Sequence, residues 1–154
     1  MTERKANFGY LTTIYFVCGT AAIQCGLVLA SYNTAGIIIE EHLQWPHWRT
    51  ILITTMGIIG LALGSLSAER VLKYGRVKAL YIAEVIIIAG VPFQMWLSVP
   101  GLCIGRLLCG FGAGICNVTS SIFMAETVPP KYLGLIGSAV NTGIVFGLLV
   151  STFI

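Results

Sequence analysis

The stretch LCIGRLLCGFGAGICNVTSSIFM, from Leu102 to Met124, holds one charged residue, Arg106. A helix rises about 1.5 Å per residue, and roughly 20 apolar residues cross a bilayer's hydrocarbon core. This stretch is therefore long enough to span a membrane. Four others qualify on either side of it: Phe8 to Ala30, Thr50 to Ala68, Val77 to Val99, and Leu133 to Ile154. Polar breaks separate them. The first contains Glu40, Glu41, His42, Gln44, Pro46, His47 and Arg49, and the second runs from Glu69 to Lys78. The third is the short turn Ser98-Val99-Pro100-Gly101, and the fourth runs from Glu126 to Leu133 with Pro129-Pro130.

Composition agrees. The chain is 56% hydrophobic and 10% charged, with mean hydropathy +0.89. Soluble domains carry about 25% charged residues. A water-facing surface cannot be built from this chain. The expected fold is an all-α membrane protein, a single bundle of about five transmembrane helices over residues 1–154.

Basic residues set orientation. Arg4 and Lys5 precede the first span. Arg70, Lys73, Arg76 and Lys78 lie between the second and third, and Lys131 between the fourth and fifth. These alternate loops share one side, expected to be cytoplasmic, with Ile154 on the outer side. The basic loop reads as a topogenic signal and a contact for anionic lipid, not a nucleic-acid site. The run after Phe8 is longer than a signal-peptide core, and no clear small-residue cleavage site follows it. Asn117-Val118-Thr119 matches a glycosylation sequon but falls inside a span.

The five cysteines, Cys18, Cys25, Cys103, Cys109 and Cys116, all sit in apolar stretches with no CxxC pair. They read as packing thiols, with neither a disulfide framework nor a zinc site. No constellation of an enzyme, phosphate loop, cofactor or metal site is present. His42 and His47 flank Trp45, where interfacial anchoring outweighs metal capture.

Glycines recur at four-residue spacing: Gly60 and Gly64, Gly110 and Gly114, Gly143 and Gly147. Such grooves let helix backbones approach closely in lipid. Positions such as Ile87 are expected to face lipid. Gln24, Asn33, Glu84, Gln94, Arg106, Asn117, Asn141 and the Thr119-Ser120-Ser121 cluster lie in or near spans. In lipid they must face the bundle interior or an aqueous cavity. Amides can bind a polyhydroxyl solute or bond one another as helix glue. Pattern alone leaves both open. Glu84 is the one deep carboxylate. It is a proton or cation site, or it pairs with a neighbouring donor.

The fourth and fifth stretches resemble the sugar porter branch of the major facilitator superfamily. The match runs through Gly105-Arg106, Gly110, Gly114, Phe123-Met-Ala-Glu126-Thr-Val-Pro129, Gly134, Asn141, Gly143 and Gly147. Ser31-Tyr32-Asn33-Thr34-Ala35-Gly36 is similar to the family's signature at the end of its first helix. Gly75-Arg76-Val77-Lys78 resembles its loop between helices two and three. Ser121, Phe123, Leu133, Leu72 and Val77 depart from the family pattern, standing for Pro, Tyr, Arg, Asp and Arg. The resemblance implies most of the N-terminal six-helix half of such a carrier, and a facilitative hexose carrier by function. It implies a substrate contact at Asn141, and Gln24, Asn33 and Thr119 are expected to face the same cavity as further substrate-binding positions. Asn33 replaces a proton-carrying Asp, so proton coupling is not expected. A gating charge network is expected among Glu69, Arg76, Arg106 and Glu126, although Leu72 and Leu133 remove two of its partners.

Carriers of this family use twelve spans in two halves, with substrate between them. About five spans cannot supply the opposing wall. A hexose or similar polyol, lipid, and either other membrane subunits or a missing C-terminal half are the expected partners. The competing expectation is a degenerate transporter fragment serving as a structural subunit of a larger membrane complex.

Overall fold

The computed structural model describes residues 12, 16, 18–30, 36, 45–96, 98–128 and 130–153. Five helices lie among them: α1 (Cys18–Ala30), α2 (His47–Leu72), α3 (Arg76–Met95), α4 (Val99–Thr127) and α5 (Pro130–Phe153). Helices α2, α3 and α4 are long and apolar enough to cross a membrane. The protein is an integral membrane protein of all-α build, as its hydropathy requires.

The helices overrun the apolar stretches where polar termini can extend past the hydrocarbon. One boundary differs for a specific reason. Val99 and Pro100, expected in a turn, already belong to α4. Ser98 is its N-cap, accepting from the Gly101 N–H at 3.3 Å. Proline is tolerated in a helix's first turn because its missing N–H has no intrahelical partner there. Only Trp96 to Ser98 is left to connect α3 and α4. Between α2 and α3 the chain reverses through Gly75 at φ +110°. A side chain there would be strained, so glycine is required.

Helix α4 is the axis of the bundle. Its buried residues point in several directions, and α2, α3 and α1 each pack against it. On the α2 side, a Cβ at Gly60 or Gly64 would strike the carbonyls of Leu107 and Phe111, and one at Gly110 or Gly114 those of Gly57 and Leu61. The two backbones therefore touch. On the α3 side, Gly112 leaves room for Ile87. Ile87 is thus buried instead of facing lipid, and its neighbour Ile88 is the exposed residue. The difference is rotational register, which hydropathy does not report. Ala83, Ile115 and Cys116 form the centre of this core, with Ala21 of α1 against them.

Helix α5 lies on α1. Gly26 and Gly147 meet the carbonyls of Ile144 and Ile23 as closely as the α2–α4 glycines meet theirs. Its contact with α4 is slight, centred on Val140 and Met124 with Cys18 and Ala22 of α1. The space left between α4 and α5 holds the candidate site.

Candidate functional site

The polar groups of the bundle fall into three places. The first is the end where α3 begins and α4 ends. The Gly75 turn sets Arg76 at the head of α3, beside Glu126 in the last turn of α4. Arg76 Nε donates to Glu126 Oε2 at 2.7 Å, and a second N–H donates to Oε1. The fork matches the carboxylate's two oxygens. Both side chains lie beyond the apolar stretches and are over two-fifths exposed. The hydrogen bond from Arg76, aided by Coulomb attraction, holds the Glu126 carboxyl below the usual carboxylate range. Two members of the expected charge network thus meet.

The other two do not join them. Glu69 is exposed on α2 while Leu72, three residues on, is buried. Glu69 therefore does not take over for the missing Asp beside Arg76. Arg106 lies on the same helix as Glu126 but 20 residues earlier, about 30 Å away at helical rise. It is buried, and it donates to the Val28 carbonyl of α1 at 2.7 Å. Arg106 ties α4 to the end of α1 and shares no cluster with Arg76.

The second place is the contact of α1 with α3. Gln24 Nε2 donates to Glu84 Oε2 at 2.7 Å. The deep carboxylate has its donor, and Gln24 is directed toward α3. A similar tie joins α3 to α4, where Gln94 Nε2 donates to Cys109 Sγ at 2.8 Å. Thr119 is wholly enclosed, with no hydrogen-bond partner for its Oγ1 among the described residues. Gln24 and Thr119 line neither of the two cavities described below. Asn33 lies outside the described residues.

The third place is a groove of about 330 Å³ between α4 and α5, lined by Asn117, Ser121, Met124 and Ala125 on one wall and Gly137, Val140, Asn141 and Ile144 on the other. Small-molecule sites begin at about this size. The Ser121 hydroxyl donates to the Asn117 carbonyl at 2.9 Å. The side-chain amides of Asn117 and Asn141 form no hydrogen bond among the described residues. A smaller cavity of about 160 Å³, lined by Arg106, Gly110, Thr54 and Leu148 among others, lies further along α4 and α5. Arg106, Gly110, Asn117 and Ser121 are spaced 4, 7 and 4 apart, so one face of α4 carries both cavities. From sequence, Asn117 and Ser121 rank only among the polar groups at membrane depth, not among the substrate-contacting positions. That spacing was the signal that could have found them.

At the other end of the bundle, Arg49 stacks over Trp45 and Trp48, at 5.9 and 5.5 Å from the ring centroids. Aromatic rings and a cation at a helix start suit a membrane interface.

Residues 7–154 match the model of the sugar (and other) transporter family. The chain belongs to that family. It is 27% identical to a "Glucose transport protein" of Synechocystis sp. over 97% of its own length and 32% of the relative's. It is 29% identical to "Sugar transporter ERD6-like 8" of Arabidopsis thaliana over 96% of its length and 32% of that protein's. It is also similar to "H(+)/hexose cotransporter 2" of Parachlorella kessleri, 28% identical over 63% of the chain and 18% of that protein. The chain spans about a third or less of the curated relatives it matches. Its all-α bundle fits most of one half of a major facilitator carrier.

Proposed function

We propose that this chain forms one wall of a facilitative sugar carrier, with the solute seated in the α4–α5 groove against Asn141. The observation that carries the reading is an amide at the family's sugar-contact position, open to a groove and without a hydrogen bond among the described residues. A polyhydroxyl solute offers both donors and acceptors to such a group. Asn33 stands at the end of the first apolar stretch and carries no titratable proton, so transport by the assembled carrier is independent of a proton gradient. Gln24 and Thr119 contribute to holding the wall together more than to solute contact, since one is engaged by Glu84 and the other enclosed. The Arg76–Glu126 pair closes the cytoplasmic end, and the basic loops keep that end inside. Cysteine labelling at Thr2 and after Ile154 tests this topology, because access to both from one side contradicts it.

A carrier exposes its solute alternately between two walls. The second wall comes from further chain or from another subunit. Proteoliposomes holding only these 154 residues should therefore take up no labelled hexose, and co-expression with the completing wall should restore flux. Asn141→Leu should then reduce flux while assembly stays intact. Uptake by the chain alone contradicts the one-wall reading. Full flux with Asn141→Leu in the completed carrier contradicts the site and favours a structural subunit.

A further inference from the structure

We infer that Asn117 of α4 is a second solute-contacting amide, set on the wall opposite Asn141, so that the groove selects cyclic polyols bearing hydroxyl pairs on two edges. The inference rests on the reading of the groove as the sugar site.

The bundle itself supplies the comparison. Carboxamides that serve as helix glue are bonded across helices here: Gln24 to Glu84 and Gln94 to Cys109. Asn117 has no such bond among the described residues, although it is half-buried and well inside the apolar stretch. A polar group at that depth is costly unless water or a ligand reaches it. The groove is what reaches it.

The chemistry of the α4 wall is also restricted. The Ser121 hydroxyl gives its proton to the Asn117 backbone carbonyl, which leaves it as an acceptor. Asn117 is then the open side-chain donor on that wall, and Asn141 the one on the other. Each primary amide has two donor hydrogens and one acceptor oxygen. Each can donate to one hydroxyl of a vicinal pair and accept from its neighbour. Two such groups on facing walls suit a monosaccharide or inositol-like ring. A linear or singly hydroxylated solute would engage only one.

The test uses the full chain in lipid nanodiscs with Ala125→Cys as reporter, since Ala125 is exposed and lines the same groove. A membrane-impermeant thiol reagent modifies it, and mass spectrometry reads modification at residue 125, apart from the native cysteines. D-glucose is the probe. Both amides belong to this chain, so protection does not need a second wall. Glucose should slow modification in the parent. Asn117→Leu should raise the half-protecting concentration about tenfold, the loss of one or two net hydrogen bonds. Asn117→Gln, which keeps the amide, should recover most of that loss. If Asn141→Leu removes protection and Asn117→Leu does not, Asn117 is not a contact and the sugar groove stands. If glucose fails to protect the parent, the sugar groove and the role of Asn117 fall together.

Discussion

The α1–α3 contact and the α4–α5 groove both hold carboxamides at membrane depth, and they treat them in opposite ways. At the first, Gln24 meets Glu84 at 2.7 Å and the pair is satisfied within the bundle. At the second, Asn117 and Asn141 face open space with their bonding capacity intact. The functional group does not separate the two cases, for all are primary amides, although the bonded ones sit on the longer Gln stem and the open ones on the shorter Asn stem. What separates them is helix packing, because α5 lies on α1 and leaves α4 only lightly touched. The lesson is that a polar residue in a membrane helix earns a functional reading only when no neighbour has engaged it.

The largest effect on this comparison comes from removing the axis both regions share. Gly114→Leu would drive a side chain into the backbone of Leu61 and Ser65. No rotamer avoids a backbone clash, and overpacking costs at least about 1–3 kcal/mol. The expected result is loss of monodisperse protein in size-exclusion chromatography. Ile88→Leu, on an exposed face, should elute as the parent does. Equal behaviour of the two would remove the close α2–α4 seam from the account.

Next in size is Glu84→Leu, which strands the Gln24 amide. Leaving a buried polar group without its partner costs about 1–3 kcal/mol, and this half-buried pair sits toward the lower end. Unfolding in mixed micelles should show that loss, and Gln24→Leu combined with Glu84→Leu should recover most of it. Asn141→Leu, by contrast, should change stability by less than about 0.5 kcal/mol, because no protein partner is left behind. If Asn141→Leu destabilises as much as Glu84→Leu, the groove amide is glue as well and the contrast collapses.

The sequence revealed the all-α membrane class and the number of helices, because five apolar runs broken by charge admit few other readings. It revealed the meeting of Arg76 and Glu126 through family resemblance. Three things were hidden for physical reasons. Ser98 as an N-cap shortened the α3–α4 turn, and hydropathy does not see caps. The placing of Ile87 against Gly112 depended on the rotation of α3 about its own axis. The separation of Arg106 from Glu126 is not among them, since a continuous α4 of this length already sets the two about 30 Å apart. Which amides stay open could not be read from the chain, because that depends on how closely α5 approaches α4.

The smallest expected effect is at the charged end. Glu126 titrates below the usual carboxylate range through its bond to Arg76. A depressed carboxyl pKa favours the folded state above the unfolded carboxylate's pKa. That contribution is lost as pH falls through the folded value. Acidification should therefore erase the small stability difference between the parent and Glu126→Gln, which neutral pH should preserve. Both groups are exposed, so salt should shrink the difference as well. A difference that grows in acid would contradict the pairing.

The most direct test compares two positions at similar depth, one lining the groove and one on the exposed face of α3. Asn141 lies 11 residues into α5 from Pro130, and Ile88 lies 12 residues into α3 from Arg76. Nitroxide labels at each can be relaxed by a water-soluble nickel chelate or by oxygen, which concentrates in lipid. Residue 141 should be relaxed mainly by nickel and residue 88 mainly by oxygen. Oxygen-dominated relaxation at both positions would mean that the α4–α5 groove is a lipid-facing crevice, and the solute site would have to be sought elsewhere.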